Sequence, residues 1–215
     1  MTSNNDGTYR PDVLALAAVV LTIAVHLGIK FVSDKPSVPF IAGASMFWAL
    51  FVIVRARQDR NAFQQWGFRT QNLPPVAAAS AVLFCTGAVA MAMIAAYQRN
   101  LDFPLHTLVL FLLYPIWGVV QQFLALGIVV SNLERLDSSR RMQPLIVLGS
   151  ALLFGLIHVY DWRLAAATFV FELTAIPLYI KYRNLWPLGI LQGWLGALFY
   201  LWILHEDLWV ETLGR

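Results

Sequence analysis

Charged residues are scarce in this chain. Asp, Glu, Lys and Arg make up 13% of its 215 residues, whereas 59% are hydrophobic, and the mean hydropathy is +0.65. Because soluble domains carry about 25% charged residues, this composition excludes a soluble globular protein. We therefore expect an integral membrane protein.

Cysteine is nearly lacking as well. Cys85 is the only one, which excludes an internal disulfide, and its apolar neighbours in VLFCTGAVAMAMIAA predict a small buried side chain. The net charge of +3 does not indicate a nucleic-acid partner, because the basic residues cluster at the ends of apolar runs, where they report membrane topology.

Apolar runs fill most of the chain. Each is close to the about 20 residues that a transmembrane helix needs, and polar connectors between them are short. The sequence predicts an all-α fold, a polytopic transmembrane bundle of about seven helices, forming a single integral membrane domain over 1–215. The predicted spans are 12–33, 38–54, 74–97, 105–130, 144–160, 163–181 and 186–204.

The basic residues are distributed unequally between the two predicted sides. Cytoplasmic loops are enriched in Lys and Arg, and ten of the fifteen basic residues share the side of the amino terminus. We therefore expect the amino terminus in the cytoplasm, in a bacterial inner membrane. The ten are Arg10, Arg55, Arg57, Arg60, Arg69, Arg135, Arg140, Arg141, Lys181 and Arg183; the other five are Lys30, Lys35, Arg99, Arg163 and Arg215.

A few strongly polar side chains lie within the predicted spans. A Lys, Arg or Asp at the centre of a span costs about 2.5–3.5 kcal/mol on insertion scales, so polar residues there need partners or a function. His26 and Lys30 share one helix face, and Lys30 is near enough to the span end to reach the interface. The others are Gln121, Gln122, His158, Glu172 and Gln192.

Three motifs in successive spans resemble a known family. The chain carries QQxxxxG at 121–127, FGLIH at 154–158 and NLWPLGILQGWLG at 184–196. In that order they resemble the CPBP family of intramembrane proteases, which includes CAAX-processing and bacteriocin-processing enzymes with EExxxR, FxxxH and HxxxN motifs. The tripeptides WGF at 66–68 and LWP at 185–187 are similar to family landmarks, so the family-like core covers about 60–204.

Matched residue by residue, this sequence keeps two of the seven motif positions. Phe154 and His158 retain the second motif. Amides or apolar residues replace the other five: Gln121 and Gln122 stand at the two glutamate positions, Leu126 at the arginine, Gln192 at the second histidine and Gly196 at the asparagine.

These replacements remove the chemistry that the resemblance implies. In the family, glutamate and histidine activate a water, and a neutral amide cannot accept a proton usefully near pH 7. We expect Gln121, Gln122, Phe154, His158 and Gln192 to form a remnant pocket whose amides hydrogen-bond to His158. We expect no cofactor and no metal, because one histidine with amides falls short of a zinc ligand set.

Glu172 is the one further carboxyl at membrane depth. It could pair with His158 and act as a relocated base, or hydrogen-bond to a neighbouring helix. Gln192 is also predicted to lie about 10 Å nearer the inner face than His158 in upright helices. GILQG, at 189–193, places Gly189 and Gly193 four residues apart, which is a helix-packing pattern.

Three functions compete at this point. The first is a CPBP-like pseudoprotease that binds or stabilises a transmembrane partner or a larger membrane complex, in contact with membrane lipid and no nucleic acid. The second is an active CAAX-type endopeptidase that uses His158 with Glu172. The third is a pigment-, quinone- or lipid-binding subunit with His26 or His158 as a ligand. Fold analogy alone does not choose among them.

The topology can be tested by accessibility labelling. Single cysteines placed at Arg60 and Arg99 are expected to react from opposite sides of the membrane, with position 60 on the cytoplasmic side, since the basic residues concentrate there. Labelling of both positions from one side would contradict this arrangement.

Overall fold

The predicted helical bundle is confirmed. The structure, a computed structural model, describes residues 12–32, 38–59, 61–137 and 139–207, and within these ranges every regular element is helical. The seven predicted spans all coincide with helices. The predictions for Arg10, Lys35, Arg60 and Arg215 concern positions outside the described residues.

Nine α-helices and two π-helical segments make up the described chain. The first π segment continues α5 directly into α6, so Thr107–Leu136 is one unbroken helical rod. The helices are α1 Val13–Val32, α2 Val38–Gln58, α3 Ala62–Gln65, α4 Leu73–Tyr97, α5 Thr107–Gln122, α6 Ser131–Leu136, α7 Gln143–Leu156, α8 Trp162–Tyr182 and α9 Trp186–Phe199; the π segments are Phe123–Val130 and Tyr200–Leu204.

Six helices of the described chain are long and apolar enough to cross a membrane. Helix α7 is shorter: its 14 residues extend about 21 Å at 1.5 Å per residue, less than the about 30 Å hydrocarbon core. It ends four residues before the predicted limit, and a turn over 157–160 leads to Asp161, which caps the start of α8. The Asp161 carboxylate accepts from the backbone N–H of Arg163 and Leu164, and hydrogen bonding from the Arg163 side chain lowers the pKa of Asp161.

Helices α5 and α9 approach to backbone contact. A Cβ built on Gly118 would lie 2.6 Å from the Gly193 nitrogen, one on Gly189 would lie 2.6 Å from the Val119 Cα, and one on Gly193 would lie 2.5 Å from the Pro115 Cα. Only glycine fits at such distances. The packing pattern read from GILQG is therefore the contact surface between these two helices.

Polar contacts near the helix ends define the two ends of the bundle. At one end Arg55 pairs with Asp12, and Arg183 pairs with Glu134 at 2.7 Å. At the other, the Arg163 guanidinium donates to the Ile203 carbonyl at 3.1 Å. Segments that the sequence assigns to the same side of the membrane thus contact one another. Which end faces the cytoplasm stays a prediction.

The WGF turn and the LWP segment meet at the first of these ends. Gly67 has a φ of +91°, a left-handed conformation that favours glycine, and its carbonyl accepts from the Leu185 N–H at 2.9 Å. The Tyr179 hydroxyl donates to the Trp66 carbonyl at 3.0 Å. A Cβ on Gly127 would lie 3.1 Å from that same carbonyl oxygen, so the turn fixes the first π segment against α8.

Aromatic side chains pack the core around the first π segment. Trp48 is buried, and its ring lies 5.9 Å from that of Phe123. The prediction that Cys85 is buried is wrong, because this side chain is exposed on the bundle surface. Val82 in the same run is 68% exposed, whereas Phe84 packs against a core cluster. Hydropathy alone does not distinguish an outward-facing from a core-facing position in a span.

Gly193→Ala tests the helix contact. The added methyl group meets the α5 backbone, which cannot move like a flexible side chain, so we expect a loss of about 1–3 kcal/mol of stability from overpacking, measured as a lower thermal unfolding midpoint in detergent. Gly149→Ala is the matched control, because nothing lies within 4 Å of its added Cβ. Equal midpoints for both variants would show that the close approach does not support the fold.

Candidate functional site

Three glutamines and one glutamate form a hydrogen-bonded chain between α5, α8 and α9. The Gln122 Nε2 donates to the Glu172 carboxylate and to the Gln192 Oε1 at 2.6 Å. The Gln192 Nε2 donates in turn to the Gln121 Oε1 at 3.1 Å. Both adjacent amides of α5 thus bond to Gln192, and Gln122 also bonds to Glu172. We call these four residues the amide cluster.

The glycine contact positions the amide cluster. Gly118 is one helical turn before Gln121 and Gln122, and Gly189 is a similar distance before Gln192. Gly189 contacts Val119 whereas Gly193 contacts Pro115, so α5 and α9 are antiparallel. Side chains tilt toward the amino terminus of their own helix, so Gln122 and Gln192 reach back toward each other across the glycine contact. Glu172 reaches the cluster from α8.

Part of the cluster is shut off from its surroundings. Gln122 and Glu172 each have 0% of their surface exposed. The Gln122 Oε1 and the Glu172 Oε2 are buried without a hydrogen-bond partner. Leaving such atoms unsatisfied costs about 1–3 kcal/mol each, so the direct contact between the two side chains is their main compensation.

His158 does not join the amide cluster. It follows α7 in a turn, where its Nδ1 donates to the Phe154 carbonyl at 2.9 Å, and its ring lies 6.2 Å from that of Tyr160. The expectation that the amides hydrogen-bond to His158 is wrong. Within the described residues, no hydrogen bond joins His158 to Glu172 either. The reason is that the two residues lie at different depths in the bundle. His158 lies in the turn just after α7, whereas Gln192 lies well within α9.

A cavity of about 1350 Å³ nevertheless connects these residues. Gln121, Phe154, His158 and Gln192 lie on its wall, whereas Gln122 and Glu172 lie behind it. The structure therefore brings four of the five predicted pocket residues to one space, with the amides and the histidine separated along it. Gln122 instead holds Glu172 in the protein interior.

The other replaced positions carry no polar group. Leu126 is completely buried in the first π segment, where the family resemblance places an arginine. Gly196 lines the cavity, and a Cβ there would lie 3.1 Å from the Tyr114 Cε1. A larger side chain at 196 would have to displace the Tyr114 ring.

Sequence reasoning missed a second buried polar group that fixes the helices around the site. Asn184 is completely buried, and its Nδ2 donates to the Arg69 carbonyl at 2.8 Å and to the Gln71 carbonyl at 3.1 Å. Its Oδ1 accepts from the Trp186 N–H at 3.1 Å. Its place directly before LWP was the available signal.

No metal centre is evident. Within the part of the chain that the structure describes, no three His, Cys, Asp or Glu side chains converge as metal ligands. The carboxyl of Glu172 is engaged by an amide, and amides are weak zinc ligands.

A comparison with protein families agrees with the motifs. Residues 100–198 match the model of the family described as type II CAAX prenyl endopeptidase Rce1-like. The chain thus carries an Rce1-like domain over these residues, consistent with the CPBP membrane protease family, and the resemblance is confirmed. The match includes all three motif segments and LWP, while WGF lies before it. Searches of curated proteins and of solved structures found no significant match.

The pairing of Gln122 with Glu172 can be measured by a double-mutant cycle. Gln122→Met leaves the buried carboxyl without a partner, so we expect it to reduce stability by about 1–3 kcal/mol. Adding Glu172→Met removes the stranded group, and the double variant is expected to recover much of that loss. Thermal unfolding in detergent gives the readout.

Gln98→Met, at an exposed position, controls for the substitution itself. Additive losses from the two cluster substitutions would show that the contact between them contributes nothing.

Proposed function

We propose that this protein is a catalytically inactive Rce1-like protein that stabilises a transmembrane partner or membrane complex. The observation that supports this most directly is the amide cluster. At the positions where the resemblance places two glutamates and a histidine, Gln121, Gln122 and Gln192 hydrogen-bond to one another or to Glu172. The groups that would activate water are thus replaced by amides that hold helices together.

The relocated-base alternative receives little support. A general base must reach the water or proton on which it acts, within about 2.6–3.2 Å or through one water. Glu172 has no exposed surface, lies behind the cavity wall, and is bonded to Gln122. His158 lines the cavity but lacks a carboxylate partner among the described residues.

Oxyanion stabilisation is also reduced. A donor that stabilises a developing oxyanion must point at the reacting atom. Leu126 and Gly196 offer no side-chain donor, and the Gln192 Nε2 already donates to Gln121. At positions 126 and 196, no side-chain donor therefore replaces the family's arginine and asparagine.

A peptidase assay tests the proposal. We expect the purified protein to cleave lipidated or membrane-embedded peptides at background rates only. Loss of a general base removes about 10²–10⁴ of rate and loss of oxyanion donors about 10²–10³, and these factors do not simply multiply. His158→Ala is expected to change stability or complex assembly instead of turnover. Hydrolysis abolished by His158→Ala or Glu172→Gln would overturn the proposal.

The partner is tested by co-purification. Mild extraction from native membranes is expected to yield the protein with a stoichiometric membrane subunit, whose retention falls when the helix contact is disturbed by Gly193→Ala but not in the Gly149→Ala control. Extraction of a chain without any partner, under conditions that preserve other membrane complexes, would contradict the stabilising role.

Restoring the family's side chains is the complementary test. Gln121→Glu, Gln122→Glu and Gln192→His together would set a new carboxyl against Glu172, and two adjacent carboxyls oppose each other's ionisation. We therefore expect cleavage to appear only when Glu172→Gln is added. Cleavage by the triple variant with Glu172 intact would show that Glu172 does not constrain position 122.

A further inference from the structure

The cavity is larger and more apolar than a site formed by its few polar wall residues would be. Its volume of about 1350 Å³ exceeds the about 300–1,000 Å³ of ordinary small-molecule sites. Gln121, Gln192 and His158 occupy only part of its surface, and most of the wall is aliphatic or aromatic. An apolar cavity of this kind does not hold water well, and its size and lining fit a large hydrocarbon molecule.

The cavity opens toward the bilayer. Several of its wall residues are also half or more exposed on the bundle, namely Leu113 at 52%, Ile116 at 59% and Val170 at 59%. Such side chains lie where lipid tails contact the protein. Acyl chains of the surrounding bilayer therefore have a lateral path into the cavity.

One end of the cavity is polar and carries both signs of charge. The Lys30 ammonium lies 4.8 Å from the centre of the Tyr160 ring. The Tyr160 and Tyr200 side chains and Glu206 line the cavity as well, and the Glu206 carboxylate is close enough to act electrostatically on both tyrosines. Lys30 and Glu206 line the same cavity, yet they form no ion pair with each other.

The groups at this polar end have unused bonding capacity. Lys30 makes no hydrogen bond or ion pair with any described residue, although a lysine ammonium offers three donors. The Nδ1 of His26, whose ring is 6.0 Å from Tyr160, is buried without a hydrogen-bond partner. A cation, an anion and an unsatisfied histidine therefore face one end of a hydrocarbon-lined space.

We propose that the cavity binds one phosphatidylethanolamine molecule, with its acyl chains along the apolar wall and its zwitterionic head group between Lys30 and Glu206. The lipid phosphate accepts from Lys30, which binds phosphate as a point charge. The primary ammonium donates to Glu206. A choline head group has no N–H to donate, and a glycerol head group lacks the cation, so the charge pair selects the ethanolamine lipid. This inference does not depend on the loss of peptidase activity.

The test is retention of lipid by the full-length protein. The protein is reconstituted in vesicles of equal parts phosphatidylethanolamine, phosphatidylcholine and phosphatidylglycerol, extracted in mild detergent and analysed by native mass spectrometry. We expect one bound phospholipid per chain, enriched in phosphatidylethanolamine over the vesicle composition. Lys30→Gln or Glu206→Gln should lower that enrichment about tenfold, which corresponds to about 1.4 kcal/mol, while Lys30→Arg retains the bound lipid.

Matched controls separate lipid recognition from a change of net charge or loss of folding. Arg57→Gln and Asp102→Asn remove the same charges at exposed positions outside the cavity and should leave enrichment unchanged, with all variants sharing one unfolding midpoint. Equal retention of the three lipids, retention unaffected by Lys30→Gln and Glu206→Gln, or a bound quinone or peptide in place of phospholipid would overturn the proposal.

Discussion

The backbone contact between α5 and α9 is the constraint on which the rest of the structure depends. In a bilayer, helices gain little from burying apolar surface, because lipid tails are equally apolar, so close packing and hydrogen bonds decide which helices associate. Gly118, Gly189 and Gly193 permit an approach that any Cβ would prevent. That approach fixes the register of the two helices, and the register brings Gln121 and Gln122 to Gln192.

Once the register is fixed, the polar side chains follow from the cost of burying them. An amide alone in hydrocarbon would lose its hydrogen bonds with water. In the cluster, Gln122 donates to two acceptors on two other helices, so one side chain joins α5, α8 and α9. The first π segment starts directly after it, and its Gly127 admits the Trp66 carbonyl. The same few residues thus hold both the cluster and the WGF turn.

The sequence predicts the helices well, because a span is defined by length and apolarity, which composition records directly. It places Gly189 and Gly193 on a contact surface for a similar reason. It does not predict which side chains meet across helices: Gln122 was assigned to a pocket with His158 and is bonded to Glu172. Nor did the apolar run around Cys85 reveal a lipid-facing position. Rotation and depth of a helix depend on its neighbours, and hydropathy records neither.

Two of the replacements at the family's motif positions, Gln122 and Gly196, are coupled to their surroundings. With Glu172 buried beside position 122, a glutamate there would place two carboxyls together in a low-dielectric interior, where both cannot ionise. Glutamine has the same length and supplies the donor that Glu172 needs. An asparagine at 196 would meet the Tyr114 ring, since even a Cβ comes within 3.1 Å of it. Gln122 and Gly196 therefore fit their present neighbours better than a glutamate and an asparagine would at these two positions.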